Sequence, residues 1–342
     1  MEKTVDGCVK CGACLRECPV VRLDPDFPGP RRLAVEGPRF NRELSALRDP
    51  LAGCTTCGRC ETLCPSRLPL TESMVRVRSV LYDKGGLSEG QRRMVLNAER
   101  FGRTVMAGPR VRAPNDGEVL FFPGCVGEAR LLGPTQVAVD LLGELGSRPF
   151  VPDGWACCGS PLEKIGEREV AESMRSRNHD ILAKADRVVT ACPGCTVHLG
   201  RSGFQPLHIV EHLYEEVGLR RLVGLRRPPV TVTVHEPCHL ARTVGPHAMD
   251  YVREILAAIP GVTVVEMEDP GECCGGGGGV ASARPELAMA LARRKVEQAR
   301  RTNADLMIAP CPFCVTNLRK AGGMEVQDLS SFLVQRGGGN KP

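Results

Sequence analysis

The eighteen cysteines of this 342-residue chain fall into four ordered blocks, and none is left over. Two blocks have the spacing C-x₂-C-x₂-C-x₃-C followed by proline; they comprise Cys8, Cys11, Cys14 and Cys18, and Cys54, Cys57, Cys60 and Cys64. The other two each contain a single cysteine, a Cys-Cys-Gly run and a C-P-x-C run; they comprise Cys125, Cys157, Cys158, Cys192 and Cys195, and Cys238, Cys273, Cys274, Cys311 and Cys314. Thiolates at such spacings are iron ligands, so the chain is predicted to carry electrons through iron–sulfur clusters.

The net charge of the chain does not predict nucleic-acid binding. The formal value of +5 counts every cysteine as neutral. Each cubane bound by four thiolates carries about −2, so two of them bring the net charge to about +1. The sequence contains no apolar run long enough to span a bilayer. A signal peptide is not predicted either, because Cys8 comes too early in the chain. We therefore expect a cytoplasmic protein, with any attachment to the inner face of the membrane made through a partner.

The order of the blocks predicts an N-terminal ferredoxin-type domain followed by two related modules. The 35 residues between Cys18 and Cys54 form a longer insert than compact ferredoxins need, which favours a helical two-cluster domain over residues 1–70. A helical connector and a Pro/Gly-rich linker follow over 71–116. The two modules are predicted at 117–224 and 225–336, and a disordered tail at 337–342.

The two modules form an internal repeat. Corresponding cysteines of the two modules are separated by 113, 116 and 119 residues. In each module short strands alternate with helices, including one long helix predicted from about Glu163 to Lys184. This alternation predicts parallel α/β sheets that present the cysteine loops at the strand ends. The predicted fold class is therefore α+β or α/β, with two modules related by pseudo-twofold symmetry.

Each ferredoxin-type block is predicted to share its ligands with the other. In two-cluster ferredoxins three thiolates of a block bind one cube, and the fourth, before the proline, binds the other cube. One cubane 4Fe–4S cluster is therefore assigned to Cys8, Cys11, Cys14 and Cys64, and a second to Cys54, Cys57, Cys60 and Cys18. Structural zinc favours pairs of C-x₂-C separated by a dozen or more residues, which this spacing does not match.

Each module contains five cysteines, one more than a cubane or a zinc ion binds. This implies either four ligands with a spare reactive thiol, or a cluster that is not a simple cube. Structural zinc or a plain cubane in one module, and a vicinal disulfide switch, are the alternatives. Four further residues are predicted to shape the cofactor site. Pro193 and Pro312 form the C-P-x-C turns, and Gly159 and Gly275 let the backbone approach closely.

Other candidate site residues lie beside the cysteines of the modules. His235 and His239 flank Cys238, and the imidazole of His239 could protonate a thiolate released from a substrate. The alternative is that these histidines cap the loop or form hydrogen bonds to cluster sulfurs. Lys164 could attract an anionic substrate. Trp155 is predicted to pack over a cluster.

The repeated pattern resembles the cysteine-rich (CCG) domain family. With its two ferredoxin-type blocks, the whole chain resembles an iron–sulfur subunit of the membrane-linked heterodisulfide reductase of methanogens. It is also similar to the iron–sulfur subunits of glycolate, lactate and anaerobic glycerol-3-phosphate dehydrogenases. The resemblance implies that each complete module holds a non-cubane 4Fe–4S cluster through all five thiolates. It also implies that two such clusters split the disulfide between coenzyme M and coenzyme B, so the ten module cysteines count as catalytic.

These observations predict an iron–sulfur oxidoreductase of the disulfide reductase type. Electrons would enter through two cubane clusters and reach two non-cubane clusters that cleave a small-molecule disulfide. The alternative is a non-catalytic electron-transfer subunit of a flavin-dependent hydroxyacid or glycerol-3-phosphate dehydrogenase. Both functions require a protein partner, either a flavoprotein or a membrane cytochrome of the b type.

Overall fold

The computed structural model describes residues 4–40, 44–83, 85–106 and 108–334. The predicted tail at 337–342 lies outside the described residues. The N-terminal part is helical, with short helices around the first eight cysteines and two longer helices after them. These are α1 (Ala13–Arg16), α2 (Gly29–Arg31), α3 (Gly37–Phe40), α4 (Arg48–Ala52), α5 (Arg59–Thr62), α6 (Leu70–Tyr82) and α7 (Glu89–Phe101). The predicted helical character of this part is confirmed.

The first module is built on a parallel four-stranded sheet with the order β2-β1-β3-β4. Its strands are β1 (Val119–Phe122), β2 (Pro149–Phe150), β3 (Arg187–Thr190) and β4 (Leu207–His208). Its helices are α8 (Cys125–Arg130), α9 (Leu132–Glu144), α10 (Ser160–Ile165), α11 (Glu169–Leu182), α12 (Pro193–Gly200), α13 (Ile209–Glu211) and α14 (Leu219–Leu222). The strand β1 is buried along its whole length, as expected for a strand covered on both faces.

The second module repeats this arrangement with the sheet order β6-β5-β7-β8, again all parallel. Its strands are β5 (Val230–Val234), β6 (Val262–Val264), β7 (Leu306–Ile308) and β8 (Glu325–Gln327). Its helices are α15 (His247–Ala257), α16 (Val280–Ala283), α17 (Pro285–Arg300), α18 (Pro312–Ala321) and α19 (Leu329–Val334). The predicted mixture of helices and parallel sheets is confirmed, and the pseudo-twofold relation between the modules stays a prediction.

A single apolar cluster joins the two modules. It contains Phe121 and Leu142 of the first module together with Val234, Ile255 and Phe332 of the second. Helix α9 packs against α19 across this junction. Burial of this shared apolar surface holds the two sheets at a fixed distance, so the cysteine loops at their edges face each other across one gap.

The predicted helix from Glu163 to Lys184 is wrong as one continuous element. It is divided into α10 and α11 at Gly166, which has a φ of 101°. A Cβ atom at Gly166 would lie 2.5 Å from the carbonyl carbon of Arg78. The chain therefore breaks here because helix α6 passes too close for any side chain.

Within the described residues, none of the helices combines the length and the apolar character that crossing a bilayer requires.

Candidate functional site

The cysteines of both modules converge on one cavity between the two sheets. The cavity has a volume of about 520 Å³, and nine of the ten module cysteines line it. The tenth, Cys157, lies just behind the wall, with its Sγ atom 3.0 Å from that of Cys125. The loops reach this place because β1, β3, β5 and β7 are parallel neighbours within their sheets and end at the same edges. All ten side chains are buried.

In the first module all five thiols are joined by side-chain contacts, and two of these contacts are short. Cys125 is paired with Cys157, and Cys195 lies 3.4 Å from Cys158 between their Sγ atoms. Hydrogen bonds from Cys157 and Cys195 lower the pKa of the Cys158 thiol to about 6. The hydroxyl of Thr104 lies 3.3 Å from Cys125 Sγ. This packing of buried thiols is what a shared metal centre needs, since thiolates are the ligands of iron–sulfur clusters.

The second module has a similar set of thiols, and the imidazole of His235 lies beside two of them. The thiol of Cys314 lowers the pKa of Cys274 well below its ordinary value, and the imidazole of His235 acts in the same direction. One ligand atom each of His235, Cys274 and Cys314 lies within 4.8 Å of the others, which is compact enough to hold a metal ion. The thiol of Cys238 raises the pKa of Cys273. The residues of both modules therefore fit metal centres built from cysteine.

The lining of the cavity is basic. It contains Lys164, Arg93, Arg130 and Lys320, and none of the described residues that line it is an aspartate or a glutamate. The two arginines and Lys320 are exposed at the rim, whereas Lys164 is half-buried. Burial lowers the pKa of Lys164, while the thiols of both modules, including Cys238 and Cys192, oppose this shift. The structure thus places Lys164 among the thiols of both modules.

The predicted histidines occupy different positions. His239 lines the cavity, with its Nδ1 atom 3.4 Å from Cys238 Sγ. Burial lowers the pKa of His239 well below its ordinary value, so the ring is held neutral. His235 is fully buried at the end of β5, and its backbone N–H donates to the carbonyl of Ile308.

The four residues predicted to shape the turns act through packing. Pro193 and Pro312 are the first residues of α12 and α18, where a proline costs no hydrogen bond. Gly159 and Gly275 have φ values of 88° and 80°. A Cβ atom at either glycine would lie 2.7 Å from a carbonyl oxygen, which belongs to α11 in the first case and to α17 in the second. Their close contacts are therefore with these two helices, and they fix the turn after each pair of vicinal cysteines.

Trp155 lies in the apolar cluster that contains Cys158, Cys192 and Cys195. Its indole ring is covered by the guanidinium group of Arg103, 3.1 Å from the ring centroid, and meets the ring of Phe122 edge-on at 5.1 Å. The structure therefore puts the only tryptophan beside the thiols of the first module.

The structure brings the eight ferredoxin-type cysteines together in two groups. Cys8, Cys11, Cys14 and Cys64 surround one small pocket near the surface, where Cys11 is exposed. The second group lies deeper and consists of Cys18, Cys54, Cys57 and Cys60, whose charges act on one another. Burial raises the pKa of Cys18 to about 12, so a bound cation is needed to hold these thiolates.

The inner group of thiols lies directly against the second module. Cys57 and Cys273 form a side-chain hydrogen bond that raises the pKa of Cys57. Arg242 of the second module donates to the carbonyl of Cys57, and its other terminal nitrogen donates to that of Gly271. A Cβ atom at Gly278 would lie 2.5 Å from the carbonyl oxygen of Cys54. The inner group is thus joined to the cavity through the second module.

Sequence reasoning missed Arg78, whose guanidinium group holds this junction together. It is buried, and it donates to the carbonyls of Lys164, Gly278, Leu51 and Cys54. These carbonyls belong to the first module, the second module and the ferredoxin-type part. One signal was available in the sequence, because Arg78 follows the buried Met74 by one helical turn and therefore lies on the apolar face of α6.

Comparison with known proteins agrees with this geometry. Residues 119–200 and 232–319 each match the cysteine-rich domain family, and residues 4–68 match the 4Fe–4S dicluster domain family. The chain is 31% identical to a dihydromethanophenazine:CoB–CoM heterodisulfide reductase subunit of Methanosarcina barkeri, a match covering 92% of this chain and 88% of the relative. The chain belongs to the cysteine-rich-domain iron–sulfur family that includes this heterodisulfide reductase subunit.

Other relatives extend the family. The chain is 32% identical to a fumarate reductase (CoM/CoB) subunit of Methanothermobacter marburgensis, over 97% of this chain and 71% of the relative. The probable glycolate oxidase iron–sulfur subunit of Bacillus subtilis is more distant, at 23% identity over 95% of this chain and 90% of the relative. A crystal structure of a hypothetical protein from Helicobacter pylori has a similar fold, with a TM-score of 0.60 and 8% identity over 82% of this chain and 61% of that one.

Proposed function

We propose that this member of the family is the disulfide-cleaving iron–sulfur subunit of a heterodisulfide reductase-type enzyme. The observation that carries the proposal is the cavity, where thiols of both five-cysteine sets line one space and the remaining one, Cys157, lies in contact with Cys125 of the lining. A disulfide has two sulfur atoms, and its reduction needs two electrons and two sites for the released thiolates. A cavity with one metal centre on each wall supplies both sites at once. A subunit that only conducts electrons needs neither the second set nor the cavity.

The proposed cofactors are two cubane clusters and two non-cubane 4Fe–4S clusters. Cys8, Cys11, Cys14 and Cys64 would hold the outer cubane, and Cys18, Cys54, Cys57 and Cys60 the inner one. The five cysteines of each module would hold one non-cubane cluster. These groups supply single electrons and iron that can bind a thiolate sulfur. The protein contributes the two facing walls, the apolar shielding from water and the charges around the sulfur atoms.

The proposed substrate is a disulfide whose two arms carry negative charge. Relatives are named for coenzyme M and coenzyme B. In this chain the support is the lining of the cavity, which has four basic side chains and no acidic one among the described residues. The volume of about 520 Å³ is also in the usual range for a small-molecule site. Lys164 would attract the anionic arms toward the thiols of both modules, and His239, whose ring burial keeps neutral, would donate an N–H hydrogen bond to a released thiolate.

The proposed electron path follows the exposure of the cysteines. A partner protein, such as a flavoprotein or a cytochrome, would dock at the outer cubane site, where Cys11 is exposed and Val9 and Leu63 present apolar surface. Electrons would then pass to the inner group, whose Cys57 contacts Cys273 of the second module. Relatives of this chain are subunits of larger enzymes, which supports the need for a partner.

The domain boundaries and the symmetry belong to the same proposal. The ferredoxin-type domain is placed at 1–70, the connector at 71–116, and the modules at 117–224 and 225–336. The equal strand order of the two sheets supports a pseudo-twofold relation between the modules.

Electron paramagnetic resonance of the oxidised protein tests the function. Adding coenzyme M is expected to produce a new paramagnetic signal, because the thiol binds at one of the module centres. Ethanesulfonate, which has the same charge and no thiol, is the control and should leave the spectrum unchanged. Iron should approach about 16 per chain, for four clusters of four. An unchanged spectrum with thiol, together with iron well below that value, would show that the chain only conducts electrons or holds fewer clusters.

A further inference from the structure

The two modules differ in the residue three positions before their first cysteine. In the second module this residue is His235, and in the first it is Phe122. Both lie at the end of the central strand of their sheet, and both are fully buried. Phe122 packs edge-on against Trp155 at 5.1 Å, which is an ordinary apolar contact. An imidazole in the equivalent place needs a different explanation, because its nitrogen atoms are polar.

Neither ring nitrogen of His235 forms a hydrogen bond of ordinary geometry among the described residues, although the ring interacts with the thiol of Cys274 and lowers the pKa of that thiol. Leaving a polar group buried and unpaired costs about 1–3 kcal/mol, so such a side chain is rarely kept without a ligand. The groups that face it are the thiols of Cys274 and Cys314, and the three ligand atoms lie within 4.8 Å of one another. The unpaired nitrogen is therefore directed at the cysteines of the second module.

We propose that His235 is a nitrogen ligand of the iron centre in the second module, which makes the two module centres chemically different. A neutral imidazole is a good ligand for iron and bonds through a nitrogen lone pair. If the imidazole takes the iron site of one of the five thiolates in this module, the centre carries less negative charge and its reduction potential is higher, as in clusters ligated by both cysteine and histidine. The second-module centre then has the higher potential of the two. It is also the centre next to Cys57 of the inner cubane site, so the first electron to arrive resides on the second-module centre.

This inference rests on the proposed iron content of the second module and not on disulfide cleavage. The test is pulsed electron paramagnetic resonance of the whole reduced protein, prepared once with natural histidine and once with histidine labelled with ¹⁵N. The wild-type spectrum is expected to contain a nitrogen coupling that changes with the label. This measurement needs no substitution, so it does not depend on a variant folding correctly.

Two variants then assign the coupling. His235→Phe introduces the residue of the first module and is expected to lose the coupling and to shift one midpoint potential to a more negative value. His247→Phe is the matched control, because His247 is half-exposed and paired with Glu211 on the surface between α13 and α15. His247→Phe should keep the nitrogen coupling and the wild-type midpoint potentials. Absence of any histidine nitrogen coupling in the wild-type protein, or a coupling that persists in His235→Phe, would overturn the proposal. A protein that keeps the coupling and fails to cleave disulfides would contradict the proposed function and leave His235 as a ligand.

Discussion

Lys164 is the residue whose surroundings bear most directly on substrate binding. Lys164 lies within α10. Its ammonium group is the only half-buried cation among the described residues that line the cavity. Within the described structure it forms no ion pair, so its charge is available to a ligand. Its backbone is fixed, because the carbonyl of Lys164 accepts a hydrogen bond of 2.6 Å from Arg78. A half-buried cation that lies beside thiols, on a fixed backbone and without an ion pair among the described residues, is suited to an anionic substrate.

Replacing Lys164 by methionine should therefore weaken substrate binding more than it slows the chemical step. A hydrogen bond to a charged group contributes about 1.5–3 kcal/mol, so KM is expected to rise about tenfold to a hundredfold. Steady-state kinetics with a disulfide that has anionic arms measure this change. Lys164→Arg keeps the charge and should restore most of the affinity. Lys320→Met at the exposed rim is the matched control, with a change in KM below about threefold. Equal effects at Lys164 and Lys320 would argue against a specific role for Lys164.

Helix α6 shows which features of a helix can be predicted from its sequence and which cannot. Its buried face follows from the spacing of Met74, Val77 and Leu81 along the helix. The longer strands and helices of the modules were predictable in the same way, because hydrophobic spacing is a local property, whereas the two-residue strands β2 and β4 were not predicted. The partners of Arg78 were not predictable, since its four carbonyl acceptors come from distant parts of the chain. The break at Gly166 was not predictable for the same reason, because it is required only by the close passage of the distant helix α6.

Substitution of Arg78 should separate the three units that meet around α6. Arg78→Met removes the guanidinium group from four carbonyls, of which only that of Leu51 keeps a backbone donor, the N–H of Cys54, among the hydrogen bonds of the described residues, and the free energy of unfolding is expected to fall by at least about 3 kcal/mol. Denaturant unfolding of the cluster-loaded protein without oxygen, followed by cluster absorbance, measures this loss. Arg76→Met is the control on the exposed face of the same helix, where an ion pair with Glu72 contributes less than about 1 kcal/mol. Arg78→Lys should recover part of the stability. A loss no larger than that of the control would mean that Arg78 does not hold the junction.

At the scale of the whole molecule, the sequence did not predict how the ferredoxin-type part packs against the two modules. The spacing of the cysteines predicts two sets of cluster ligands in the ferredoxin-type part. It contained no information about which module this part would contact, because both modules have similar loops. The choice of module depends on packing between residues that are distant in the sequence. Gly278 of the second module lies against Cys54, and Arg59 forms an ion pair with Asp269. The first module also has an aspartate, Asp153, four residues before its vicinal cysteines. The local sequence pattern therefore did not distinguish the two modules as partners of Arg59.

The contact at Gly278 provides a test of the proposed electron path through the second module. Its φ is 64°, and a Cβ atom would lie 2.5 Å from the carbonyl oxygen of Cys54, so Gly278→Ala must push the inner cysteine group away from the cavity. We expect the free energy of unfolding to fall by about 2–4 kcal/mol, from the strained backbone and the overpacked contact together. Transfer of electrons from pre-reduced cubanes to the cavity should become slower, as followed by stopped-flow absorbance after disulfide is added.

Gly203→Ala is the matched control for that variant. Gly203 has a φ of 87°, and a Cβ atom there would meet nothing within 4 Å. It therefore carries the same kind of backbone strain, about 1 kcal/mol, without any contact between units. Its rate of electron transfer should equal that of the wild-type protein. If Gly278→Ala loses stability while its rate stays equal to that of Gly203→Ala, electrons do not pass through this contact, and entry to the cavity must lie on the side of the first module.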